Sequence, residues 1–141
     1  MDNVPVAAPR QYGPDRRLTA VTGVAGLIAV GLAGFTADGG ARVFAAVAAV
    51  VLLGYAVSDL LFWPRLVLSA QGVQVQGPFE RLAVGWGDVT TVRADVRIRH
   101  GLRSTALEVD AGDTLVVLSR RALGADPEAV AAVAATYRNG R

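Results

Sequence analysis

The sequence has no cysteine, no lysine and a single histidine, His100, in 141 residues. Without cysteine there is no disulfide, no thiolate metal site and no thiol nucleophile. One histidine excludes a multi-histidine metal centre. All 14 basic residues are arginine, set against 12 acids, so the formal net charge is only +2. The isoelectric point of 9.7 overstates that balance. It is not the concentrated basic field of a nucleic-acid binder, and no nucleic-acid partner is expected. Arginine as the only base, with heavy use of Ala, Val and Gly, points to a GC-rich genome of actinobacterial type. What the chain has in excess is apolar residues, at 52% with a mean hydropathy of +0.40. The excess is concentrated in residues 18–63. The length allows one soluble domain beside whatever a membrane takes.

Residues 1–17 are polar, carry Pro5, Pro9 and Pro14 and show no apolar period. They read as a disordered tail. Leu18 to Phe35 then runs without a charge. A helix needs about 20 apolar residues to cross a hydrocarbon core of about 30 Å, so this run can span. Thr36–Ala41 reads as a polar loop. Arg42 to Trp63 is a second span, ended by Pro64, which cannot continue a helical ladder. A cleaved signal peptide is the alternative for the first run, and Arg16–Arg17 also fits a twin-arginine signal. The length of the run and the full span behind it favour an uncleaved transmembrane hairpin. Arg10, Arg16 and Arg17 precede the hairpin, Arg65 follows it, and the loop has only Arg42 at its edge. The positive-inside rule therefore places both termini in the cytoplasm.

Small residues recur every four positions, as Ala25, Ala29 and Ala33 and as Ala41, Ala45 and Ala49. That spacing lets helix backbones approach, either within the hairpin or between copies. Asp59 is the one acid inside a span. It falls about one turn from the predicted inner boundary, where it reaches the interface or pairs with a nearby arginine.

After Pro64 the period changes from helical to alternating. Leu66 and Leu68, then Val73 and Val75, alternate with other residues in the pattern of half-buried strands. Gln71–Gly72 and Gly77–Pro78 read as turns, and Arg81–Val84 as a third strand. Val89–Arg99 is a long alternating run, with Val92, Ala94, Val96 and Ile98 on one face and Arg93, Asp95, Arg97 and Arg99 on the other. His100–Gly101 reads as a turn, and Thr105–Asp110 and Thr114–Leu118 as two more strands. Short strands at this spacing imply an antiparallel sheet or barrel. Asp126–Pro127–Glu128 is a helix start, with an N-cap acid, proline at the first position and an acid in the first turn. Val130, Val133, Ala134 and Tyr137 form the apolar stripe of that last helix.

This order resembles the pleckstrin-homology (PH) superfold, and more closely the bacterial PH-like domains of actinobacterial membrane proteins, such as the family of low-molecular-weight protein antigen 6. The stretches that carry the resemblance are Pro64–Val75 (PRLVLSAQGVQV), Gly77–Arg81 (GPFER), Gly85–Val89 (GWGDV) and Leu118–Glu128 (LSRRALGADPE). The expected fold is α+β: a two-helix transmembrane hairpin, then a small PH-like antiparallel barrel or sheet of about six strands, closed by a C-terminal helix. The expected organisation is a disordered cytoplasmic tail over 1–17, the hairpin over 18–63 with spans 18–35 and 42–63, the PH-like domain over 64–138 and a tail over 139–141. Six strands fall short of the seven in a full PH fold.

The main candidate site is the arginine face of the long strand, Arg93, Arg97 and Arg99, with Arg103 after the turn. Arginine forks match phosphate oxygens two at a time, and the resemblance implies lipid headgroups or peptides as ligands. Three readings stay open: a solvated face paired with Glu108 and Asp110 across the sheet, an anionic-lipid contact, or a protein contact. Trp86, between Gly85 and Gly87, reads as a packing anchor. Ser119–Arg120–Arg121 reads as a cap with solvated charges, or as a membrane-surface contact. His100, Ser104 and Asp110 contain the residue types of a nucleophile–base–acid set, but sit at a turn with no oxyanion-hole motif. The expectation is therefore no catalysis, no cofactor and no metal. The expected function is a membrane-anchored binding or adaptor module at the inner face of the plasma membrane, contacting a protein partner or anionic lipid. The alternative is a structural or accessory subunit of a larger membrane complex.

Overall fold

The structure, a computed structural model, describes residues 8–140. It divides into two compact units. One is the helical hairpin, Pro14–Trp63, and the other joins the short segment before it to the chain from Pro64 onward.

The hairpin consists of α1 (Arg16–Phe35) and α2 (Gly39–Leu61). Each helix starts two or three residues before its expected span, because an acid caps it. Asp15 accepts a hydrogen bond from the Arg17 backbone N–H at 2.9 Å, and Asp38 accepts from Gly40 and Ala41. The loop therefore shrinks to Thr36–Asp38. Both helices are long and apolar enough to cross a membrane. The seam between them is built from small residues: Thr19, Gly26 and Ala29 of α1 and Ala49 and Ala56 of α2 are buried. A Cβ on Gly26 would come within 2.8 Å of Leu53 Cδ2, so any larger residue here requires the Leu53 side chain to shift. Of the alanines expected to form the contact, Ala29 and Ala49 do, whereas Ala41 faces outward. Asp59 is not at an exposed rim. It is 6% exposed, and accepts a hydrogen bond from Thr19 Oγ1, one turn into α1.

The second unit holds two antiparallel sheets. The first has the order β1 (Arg10–Tyr12), β2 (Leu66–Leu68), β3 (Gly72–Gln76), β4 (Arg81–Gly85). The second is β5 (Thr91–Arg99), β6 (Leu102–Asp110), β7 (Leu115–Ser119). The short helix α3 (Arg120–Leu123) and the final helix α4 (Pro127–Asn139) follow. Alternation drives the packing. Leu66, Leu68, Val73 and Val75 from the first sheet meet Leu107, Val109, Val116 and Leu118 from the second, with Trp86, Leu123, Val130 and Ala134 completing one core. Asp126 caps α4, and Pro127 occupies its first turn, as the sequence pattern requires.

The disordered tail expected over 1–17 needs correcting. Residues 1–7 lie outside the described ones, but Arg10–Tyr12 is a strand and Arg16 already belongs to α1. β1 pairs with β2 in the register Arg10↔Leu68 to Tyr12↔Leu66. The helical hairpin is thus inserted between two neighbouring strands of one sheet. The six strands after Pro64 appear as expected, and β1 supplies a seventh. The tail expected from 139 is also shortened, since α4 includes Asn139.

A candidate binding face on the β5–β6 ribbon

β5 and β6 form the longest strand pair, nine residues each. His100 and Gly101 join them at φ of 51° and 76°. Two left-handed residues in succession give the turn whose twist matches a two-residue hairpin. β7 pairs only with Ala106–Asp110, so the distal half of the ribbon extends beyond it.

The register sorts the candidate residues. Arg93 lies opposite Glu108, Arg97 opposite Ser104, and Arg99 opposite Leu102. Side chains of directly paired residues share a face, and alternate residues share a face along each strand. Arg93, Asp95, Arg97 and Arg99 therefore line one face with Leu102, Ser104, Ala106 and Glu108. Arg103 pairs with Ile98 and falls on the other face. The structure brings three of the four candidate arginines together and separates Arg103 from them.

Glu108 organises this face. It is 5% exposed. One of its oxygens, Oε2, accepts from Arg93 Nε at 3.1 Å and Nη2 at 3.0 Å. The other, Oε1, accepts from Arg97 Nη2 at 2.9 Å. Arg97 Nε also donates to Asp95 Oδ2 at 3.0 Å. That hydrogen bond holds the Asp95 carboxyl below its ordinary range and raises the Arg97 guanidinium. A buried carboxylate would be costly alone, and two arginines satisfy both of its oxygens. Arg93 and Arg97 are consequently fixed in position with much of their charge already matched. Asp110, expected to share this pairing, instead accepts from the Gly112 N–H in the next turn.

The other candidates settle locally. Trp86 is 4% exposed and donates its indole N–H to the Ser69 carbonyl at 2.8 Å, which anchors the turn after β4 to the β2–β3 connection. Ser119 caps α3, accepting from the Ala122 N–H at 3.2 Å. Ser104 Oγ donates to the Arg97 carbonyl, and Asp110 lies six residues further along β6. At about 3.3 Å per residue these two side chains are roughly 20 Å apart, so no triad forms. Among the described residues no cluster of three or more histidine and acid side chains is placed to hold a metal. Sequence reasoning had Glu108 only as a neutralising partner. Its central role follows from its register opposite Arg93, diagonal to Arg97.

Compared with known proteins, residues 63–139 match a family model described as a bacterial PH domain. No curated protein and no solved structure matches the chain.

Proposed function

The chain belongs to the bacterial PH-domain family, and from that premise we propose that it is a binding and adaptor module anchored in a membrane by its helical hairpin. PH domains are in general non-catalytic binding modules. The observation that carries the anchoring is the distribution of apolar side chains on the hairpin. Leu27, Ile28, Phe35, Phe44 and Val50 are all exposed by more than half, while the helix–helix seam takes the small residues. In water that arrangement is unstable; in lipid it is expected.

The arginine flanks support placing both termini at the inner face of the plasma membrane. The β1–β2 pairing supports a common side, since paired strands cannot lie on opposite sides of a bilayer. The narrower likeness to low-molecular-weight protein antigen 6, and an actinobacterial source, rest on the sequence stretches alone. The ligand is a protein partner or anionic lipid headgroups at the face carrying Arg93, Arg97 and Arg99. Internal pairing with Glu108 and Asp95 leaves that face nearly balanced in charge, which favours a protein surface. Tethering would raise the effective concentration of the module for partners in the same membrane.

The test uses the full chain with a photocrosslinker placed in turn at Arg97, Arg99, Arg103 and Asp113, in native membranes and in nanodiscs with and without anionic lipid. A discrete protein adduct from 97 and 99, weak from 103 and 113, is the expected result. Lipid adducts from 97 and 99 that need anionic lipid would shift the ligand to headgroups. Equal yields at all four positions would eliminate this face as the binding site.

A further inference from the structure

The β3–β4 turn, Gly77–Glu80, is not explained by the binding face. Phe79 at its crown is 97% exposed, the most exposed large apolar side chain of the molecule among the described residues. Exposed apolar side chains scattered singly need no explanation; this one is distinguished by its place in the sheet. A single row of residues crosses the first sheet at one end. The Arg65 N–H donates to the Tyr12 carbonyl at 2.9 Å, and the Gln76 N–H donates to the Arg65 carbonyl at 2.9 Å. Gln76 in turn pairs with Arg81. Three things lie just beyond this row: Gly13, where the chain leaves for α1; Pro64, where it returns from α2; and the turn bearing Phe79.

In an antiparallel meander the first and third connections share an end, so this placement follows from strand order alone. Neighbouring strands are about 4.8 Å apart. The turn is therefore within about 10 Å, across the sheet, of the peptide that follows Trp63. The turn is also firmly shaped. Pro78 fixes one backbone angle, and the Gly77 N–H donates to the Glu80 carbonyl at 2.7 Å. The Arg65 guanidinium lies against Gly77, with Nη1 3.9 Å from the position a Cβ would take, and Arg81 follows the turn. An aromatic crown flanked by arginines, with Glu80 the one acid, is the composition of an interfacial anchor.

We propose that the Gly77–Glu80 turn dips Phe79 into the headgroup–acyl boundary of the same bilayer that holds the hairpin, giving the domain a third attachment beside its two chain crossings. The inference rests on the membrane reading above, and its test separates the two. The chain has no native cysteine. A nitroxide on Phe79→Cys, or on Glu80→Cys if position 79 disturbs the turn, is therefore unique in the full chain. Leu27→Cys in the hairpin and Asp113→Cys in the β6–β7 turn serve as references, all in proteoliposomes. The readout is the accessibility of the label to oxygen relative to a water-soluble nickel chelate.

The expected ratio at 79 is several-fold above that at 113 and below that at 27. A ratio at 79 equal to that at 113, with 27 high, would overturn the inference and leave the membrane reading standing. A low ratio at 27 would overturn both. A label at 79 shielded from both reagents would mean a protein covers the turn, and would overturn the inference too.

Discussion

The two units use the same apolar vocabulary in opposite senses. In the hairpin, Leu27 is 64% exposed and Phe44 78%, while Ala49 is 4% exposed and Asp59 6%. In the domain, Leu66, Leu107 and Val109 are fully buried, and Arg93 carries a side chain 69% exposed. One unit hides what is small or polar, and the other, Glu108 aside, hides mainly what is large and apolar. On the membrane reading proposed above, the difference follows from the solvent each unit meets. Helices that associate in lipid gain nothing by burying leucine and gain by close backbone contact. A sheet domain in water is held together largely by burying leucine and valine.

The contrast can be broken by the same substitution made in each unit. Leu107→Ala should cost about 2–5 kcal/mol of domain stability, because it leaves a cavity in a filled core. Leu27→Ala should change hairpin stability by less than about 1 kcal/mol in detergent, since its methyl groups meet solvent in both states. Thermal unfolding of the two variants, followed by circular dichroism, decides the matter. Equal losses would mean that the hairpin packs like a water-soluble core.

A smaller effect tests the hairpin seam itself. Gly26→Val puts a Cβ and two methyl groups against Leu53 and should cost about 1–3 kcal/mol through strain. Leu53→Ala in the same chain should recover part of that loss. Gly31→Ala, where nothing lies within 4 Å of an added Cβ, should be silent. A silent Gly26→Val would show that the helices do not meet through this seam.

The smallest effect is on the ribbon. Asp95 sits below its ordinary value of 3.8 because of Arg97, so its contribution is present above that value and is lost as pH falls through the lower folded value. The hydrogen bond to Asp95 raises the Arg97 guanidinium above its ordinary value, so its share persists through the whole working range. Stability from this pair should therefore be flat from pH 8 to about pH 5 and decline only in strong acid. Asp95→Asn should flatten that acid limb by a barely measurable amount, as the pair is solvent-screened. A midpoint shift near neutral pH that vanishes in Asp95→Asn would contradict this assignment.

Much of this architecture is legible in the chain. Leu18–Phe35 is charge-free for long enough to announce a long apolar helix, and α1 is found there. The alternation over Val92–Arg99 gives both faces of β5 correctly. The Asp126–Pro127–Glu128 signature starts α4 where the cap is found. Two features are not legible for specific reasons. β1 is three residues, Arg10–Tyr12, too short for any period, and its partner strand lies on the far side of two helices. Proximity in sequence alone groups Arg103 with Arg93, Arg97 and Arg99. A two-residue turn at His100–Gly101 fixes Arg99 opposite Leu102, and that register sends Arg103 to the other face. The turn residues contained the answer, but only once turn length is carried through to register.

The insertion of the hairpin between β1 and β2 also orders events in biosynthesis. β1 leaves the ribosome first and has no partner until about fifty further residues, both helices included, have been made. The first sheet can close only after the hairpin is complete and both its ends have come to one side. If the hairpin spans a membrane as proposed, a chain that inserted a single helix would strand β1 across the bilayer from Leu66–Leu68, and β2 would lose its edge partner. On the membrane reading proposed above, pairing of Arg10–Tyr12 with Leu66–Leu68 therefore requires that both ends of the hairpin emerge on the same side.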